Sequence, residues 1–460
     1  MQPTLTTEGV RGATPITPLT CDHLEAWLER AEPVAKRWIA STGFEANPDT
    51  HCLIPDKHGK AARVLAGIGD ANDPFCLARL TTALAPGSYF IDADWDPAVA
   101  ERASLGWALG GYRFSRYKQA ERELARLVID KRLDAKRIQD QVDAVFLARD
   151  LINTPAEDMM PEQLADAVKD LAAHFDARVN EIAGEALIQQ NYPAIHAVGR
   201  ASVHQPRLID MRWGKPDRPK LTLVGKGVCF DTGGLDLKGA SSMRLMKKDM
   251  GGAAHAIALA RLVMSADLPV GLRLLVPAVD NAVSGSAFRP GDVLATRKGL
   301  TVEVDNTDAE GRLILCDALA EGAAEKPDLM IDFATLTGAA RVALGTDVPA
   351  MFCNDDALAE NLLRASGAVH DPVWRMPLYA PYKDLIESTV ADIVNSASRP
   401  FGGAITAALF LDAFVPADVS WAHFDLMAWN IKPRPGRPEG GEAMGLRAVF
   451  EMLRTQYPAE

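Results

Sequence analysis

Apolar positions along the chain keep two different rhythms. From residue 146 onward, short apolar runs alternate with longer segments whose apolar residues recur at helical spacing. LTLVG (221–225), GLRLLVPAV (271–279), LTVEVD (300–305) and DLMIDFATL (328–336) predict strands. MGGAAHAIALARLVM (250–264) and a segment opening at Asn306 predict helices between them. Strands alternating with helices in this way describe a largely parallel, doubly wound sheet with helices on both faces. Such sheets bind ligands at the carboxyl ends of their strands. The first third is more mixed, with strand-like ARVLAGIG (62–69) and SYFIDAD (88–94) among helical pieces. RYKQAERELARLVIDKRLDAKRI (116–138) carries Leu and Ile on one stripe of a charged segment. It predicts a long solvated helix joining two domains. Further on, Pro155 and Pro161 mark one helix end and the next helix start. The expected fold class is α/β. A small N-terminal α/β domain (1–135) precedes a larger C-terminal domain (136–460) of three α/β/α layers on a mostly parallel mixed sheet.

Composition narrows the class without naming the chemistry. The chain has 460 residues, 48% hydrophobic and 24% charged, as in an ordinary globular protein of two domains. A formal net charge of -12 weighs against coating a nucleic-acid duplex, which needs clustered Lys and Arg. Six cysteines lie far apart with no CxxC pair, which reads as reduced thiols in a cytoplasmic protein. The first twenty residues lack an apolar signal region, and no membrane span is expected, since no run reaches eighteen apolar residues. RPGRPEGGEA (434–443) reads as a stiff surface loop.

Familiar motifs fail one by one. VGKGVCFDTGG (224–234) begins like a dinucleotide loop, but Phe230 stands where the third glycine belongs. The same GKG lacks the Ser or Thr of a P-loop, and neither HExxH nor GxSxG occurs. What remains is rich in carboxylates. Residues 225–254 hold Lys226, Asp231, Lys238 and Asp249, with glycine pairs beside both aspartates in DTGG and DMGGAA. Glycine there permits close backbone approach. NTDAEGRL (306–313) admits two readings: a capping box of Thr307 with Glu310 that opens a helix, or acids gathered for metal.

With these segments together, the chain resembles the leucine aminopeptidase (cytosol aminopeptidase) family of dinuclear metallopeptidases. NTDAEGRL is that family's signature octapeptide, unchanged, and the GKG–FDxGG–Lys–DMGGAA series stands in order and spacing. INTPAEDMMP (152–161), DFATLTGA (332–339) and ADIVNSASRPFGGAITAALFL (391–411) support it, so the likeness covers about 145–450. The resemblance implies two divalent metal ions, zinc and/or manganese. Lys226, Asp231, Asp249 and Glu310 would hold one; Asp231, Asp308 and Glu310, with the Asp308 carbonyl, would hold the other. Only a neutral Lys226 amine can ligate, and a dication in contact would drive its pKa down. A metal-bridging hydroxide would then attack the first peptide bond, with protonated Lys238 at the carbonyl oxygen and bicarbonate held by Arg312 as proton shuttle. Met246, Thr335, Leu336 and Met427 would bind substrate. In HFDLMAW (423–429), Met427 stands where the family has a small Ala, which predicts a shallower or reshaped first pocket. The implied partners are peptides with a free N-terminus and five further copies in a homohexamer.

Two other functions stay open on residues alone. Some members of the family also bind DNA through their assembled surface, so a nucleic-acid-binding or scaffolding hexamer is the alternative, against which the acidic charge counts. Another two-metal hydrolase, such as a phosphoesterase, could use the same carboxylates.

Overall fold

The computed structural model describes residues 4–8, 11–119 and 122–459. Its compact units are Met1–Phe146 with Lys432–Glu439, and Leu147–Ile431 with Gly440–Glu460.

The first unit carries a six-stranded sheet of β1 (Leu5–Thr6), β2 (Thr14–Leu19), β3 (His51–Pro55), β4 (Ala61–Gly67), β5 (Ser88–Ile91) and β6 (Arg126–Val128). The order is β1-β6-β5-β2-β4-β3, parallel except for the β3–β4 pair. The long helix predicted over 116–138 is not formed there. Ala120 and Glu121 lie outside the described residues. Beyond them, β6 fills the gap between β1 and β5, burying Leu127 and Val128. Pairing on both edges outweighs a helical pattern that is only local. The helix begins later, at Ala135, and runs to Asn153. Asp134 accepts a hydrogen bond from the Arg137 amide at 3.0 Å, which fixes that start.

The second unit is built on a nine-stranded sheet. Its strands are β7 (Arg178–Ala183), β8 (Arg207–Trp213), β9 (Lys220–Gly225), β10 (Gly227–Asp231) and β11 (Gly271–Asn281). Two short strands, β12 (Val293–Ala295) and β13 (Thr301–Glu303), precede β14 (Leu329–Ala334), β15 (Ala350–Cys353), β16 (Trp374–Arg375), β17 (Ile393–Val394) and β18 (Trp421–Asp425). The sheet order is β16-β15-β18-β14-β9-β11-β8-β7, with β10 on β11. Its centre, β18-β14-β9-β11, is parallel, whereas β8 joins β11, β7 joins β8 and β15 joins β18 antiparallel. The expected mixed, mostly parallel sheet is present. LTVEVD is a strand, but it pairs with β12 and β17 in a separate small sheet.

Alternation along β9 shows the layering. A Cβ on Gly225 would meet the backbone of Ala253 in the helix Gly251–Ser265 at 2.6 Å. One residue out of phase, Thr222 packs against Gly322 of the helix Glu310–Ala324. Successive strand residues point to opposite faces, so the two helices lie on opposite sides of the sheet. The second face is closed by Leu313, Ile314, Phe410 and Trp421, all buried. Among the described residues, no helix is long and apolar enough to cross a membrane.

Candidate metal centre

The parallel strands end at one place. Just past β9, the Lys226 amide donates to the Phe333 carbonyl of β14 at 3.0 Å, and its side chain turns inward. Asp231 closes β10, and the chain then reverses through Gly233 and Gly234 at φ +87 and +63, a region that favours glycine. The Gly233 amide donates to Asp231 Oδ1 at 2.8 Å. A 3-10 turn, Met246–Met250, brings in Asp249 immediately before the helix Gly251–Ser265. A Cβ on Gly252 would lie 2.1 Å from the Phe333 carbonyl oxygen, so the DMGG pair is what lets this helix touch the strand.

Asp308 and Glu310 arrive on the start of the helix Glu310–Ala324, but not through the predicted capping box. The N-cap is Ala309, and no side chain caps it. The Thr307 hydroxyl is used elsewhere: it donates to the Gly233 carbonyl at 2.6 Å and accepts from the Asp236 amide at 2.9 Å. Thr307 ties the two acidic segments together, a long-range demand that outbids the local cap.

The assembled cluster alternates acids with two ammonium groups. Lys226 Nζ lies 2.8 Å from Asp249 Oδ2, 3.1 Å from Glu310 Oε1 and 2.9 Å from the Thr335 carbonyl. Lys238 Nζ lies 2.8 Å from Asp231 Oδ2 and also binds Asp308 Oδ1. Burial works against charge on both lysines, but the surrounding carboxylates hold each well above its ordinary pKa. Burial first, then the Asp231 charge, pushes the Asp308 carboxyl up to about 6. The same causes push Glu310 far above the usual carboxylate range.

The donor set fits metal ions on two observations. Glu310 is 1% exposed, yet neither carboxylate oxygen accepts a hydrogen bond. The contact with Lys226 is an ion-pair approach without hydrogen-bond geometry. Oxygen atoms of Asp231, Asp308 and Glu310 also lie within 4.8 Å of one another. Acids held that close, two of the three buried, repel unless cations sit among them, a role the Lys226 and Lys238 ammonium groups fill here. Hard oxygen donors with one amine suit divalent ions.

Comparison with known proteins agrees with this chemistry. The profile of the cytosol aminopeptidase family, catalytic domain, matches residues 146–450, and that of the M17 aminopeptidase N-terminal domain matches 14–130. The chain belongs to the cytosol aminopeptidase family. A probable cytosol aminopeptidase of Roseiflexus castenholzii is 40% identical over 77% of this chain and 76% of its own length. The crystal structure of a cytosol aminopeptidase from Coxiella burnetii superposes with TM-score 0.96 at 50% identity, covering 99% of each chain. The bottromycin maturation enzyme BotP in complex with Mn superposes with TM-score 0.88 at 33% identity, covering 96% of this chain and 99% of that one. The protein is a metallo-aminopeptidase acting on peptides with divalent metal.

A cavity of about 640 Å³ opens over the cluster of this aminopeptidase. Lys226, Asp231, Lys238, Asp249 and Asp308 line it, as do Met246, Thr335, Leu336 and Met427. Glu310 and Arg312 are not among the lining residues. The Thr335 hydroxyl donates to Asp249 Oδ1 at 2.8 Å, and the Leu336 amide donates to Asp425 Oδ1 at 3.0 Å. Arg312 is 8% exposed with its Nε unpartnered, and burial lowers its pKa to about 10.

Sequence reasoning passed over several residues that build the site. Asn281, at the end of β11, donates to Asp231 Oδ1 at 2.9 Å and to the Thr307 carbonyl at 3.2 Å. Asn395 accepts from the Asp305 and Asn306 amides and donates to the Asn306 carbonyl, shaping the octapeptide loop. Asp425 takes the Leu336 and Thr337 amides and the Thr337 hydroxyl. Their position at strand ends was a usable signal for Asn281 and Asp425. Lys248 and Arg341, also in the lining, carried none. Burial, then Lys226 and Arg341, lowers the Lys248 pKa to about 8. The loop 434–443 also differs from expectation: Glu442 is buried, its carboxylate gripped by Arg149 at 3.0 Å on both oxygens.

Proposed function

We propose that this aminopeptidase removes the first residue of short peptides using two divalent cations, zinc or manganese, held by Lys226, Asp231, Asp249, Asp308 and Glu310. The observation that carries this is the buried Glu310 carboxylate, which has both oxygens free of hydrogen bonds among three neighbouring acids. Bound there, the cations would supply Lewis acidity and an activated water at neutral pH.

The side chains divide the remaining work. Lys226, 2% exposed and aimed at Asp249 and Glu310, serves as the amine donor once a cation takes over its role as counter-charge. Lys238, on the cavity wall, keeps its proton and offers fixed positive charge to the scissile carbonyl oxygen as it gains charge. Arg312, a buried guanidinium with an unpartnered Nε, is the residue that would hold bicarbonate; a guanidinium is shaped for a planar anion and cannot itself act as base. Thr335 and Leu336 present main chain and side chain to substrate, and Met246 and Met427 border the first side chain. We place the enzyme in the cytoplasm as a homohexamer, on family likeness.

The test is hydrolysis of amino-acid p-nitroanilides, lost in chelator and restored by adding Mn2+ or Zn2+. Binding of two equivalents of metal without any anilide turnover would refute the catalytic reading, and failure to bind metal would refute the site.

A further inference from the structure

Resting on the reading of Met246 and Met427 as the border of the first-side-chain pocket, we propose that this aminopeptidase selects peptides whose first residue is acidic. Lys248, seconded by Arg341, is the group that selects them.

Lys248 is 5% exposed, yet it lines the cavity. Among the described residues its ammonium makes no hydrogen bond, and its one carboxylate contact is Asp249 Oδ1 at 3.9 Å, beyond hydrogen-bond reach. An ammonium carries three donors, so a buried one normally finds acceptors. Here no acceptor lies within hydrogen-bond reach among the described residues, and the residue borders the cavity. Arg341 borders the same wall. Its Nη1 points at the Met427 sulfur at 3.8 Å, and among the described residues it forms no ion pair with a carboxylate. Met427, the bulky residue where the family has a small Ala, thus touches a guanidinium through its sulfur.

Metal ligand and selecting lysine are adjacent in sequence, Asp249 and Lys248, on one 3-10 turn that also carries Met246. A first residue whose α-amine is held at the cluster therefore extends its side chain along Met246 and Met427 toward two cations, one of them in only a long ion pair with Asp249 and the other in none among the described residues. An isobutyl group there would cover the ammonium and leave its donors unsatisfied, whereas a carboxylate supplies charge-assisted hydrogen bonds. Sites built to bond a polar group discriminate against analogues lacking it far better than apolar pockets discriminate by size.

The experiment compares kcat/KM for Glu, Gln and Leu p-nitroanilides with metal-loaded wild type, Lys248→Met and Arg341→Gln. Glu and Gln share shape and differ in charge, so their ratio reads the cation, and a defect in folding or metal loading cancels from it. The expected wild-type Glu:Gln ratio is about tenfold or more, falling to about one in Lys248→Met and by a few fold in Arg341→Gln. Product inhibition by free glutamate over glutamine should lose the same preference, as a readout independent of turnover. A wild-type ratio near one, or a high ratio that neither variant lowers, would overturn the proposal while leaving the aminopeptidase site intact. Inertness toward all three anilides with bound metal would instead sink the catalytic reading, and this inference with it.

Discussion

Two buried acids on one helix have opposite surroundings. Glu310 and Asp317 lie seven residues apart on Glu310–Ala324, about two turns, so both face the interior. Asp317 Oδ2 accepts from the Ala194 and Ile195 amides at 2.9 and 3.2 Å, and Oδ1 accepts from the Arg297 amide at 2.8 Å. Those donors hold down a pKa that burial raises to about 7. Neither Glu310 oxygen accepts a hydrogen bond: Lys226 Nζ approaches Oε1 at 3.1 Å as an ion pair only, and the other charges that weigh most on it are further acids. Burial alone does not mark a functional carboxylate. An acid whose hydrogen bonds are all supplied by the fold is satisfied as it stands; one left without them can still take a cation.

Four measurements would break or sharpen that contrast. The largest effect is expected from Glu310→Gln, which should lower kcat/KM by about 10^3-fold while leaving unfolding of the metal-free protein unchanged or slightly harder. Retained turnover would erase the distinction. Asp317→Ala should do the reverse, costing about 2–4 kcal/mol of stability by stranding buried amides while turnover per folded molecule survives. Adding Mn2+ at a hundred times its Kd should stabilise wild type and Asp317→Ala alike by about 2.7 kcal/mol in thermal melts, and Glu310→Gln far less. The most gradual effect, smallest per unit, is in pH. With its folded pKa near 7 and its unfolded value near about 4, Asp317 holds a proton in the folded state that the unfolded chain releases. Stability should therefore fall as pH rises from about 4 to about 7, by at most about 1.4 kcal/mol per unit, and Asp317→Asn should flatten that slope.

Much of the catalytic unit was legible because its signals are local. LTLVG, GLRLLVPAV and DLMIDFATL became β9, β11 and β14, since a continuous apolar run fits a strand buried on both faces. The first unit was harder. The segment 116–138 has a helical pattern, yet β6 forms within it because two other strands need a neighbour. The capping box failed for a related reason: Thr307 is bound to Gly233 and Asp236, more than seventy residues away in sequence.

The sequence by itself determined the strand–helix rhythm, the acidic segments and the family to which they belong, because periodicity and spacing are properties of neighbouring residues. Only the tertiary structure decided which acids keep their hydrogen bonds and which are left bare, and where Lys248 and Arg341 point. Those outcomes depend on donors contributed by distant segments, and on how much water the packed sheet and helices exclude.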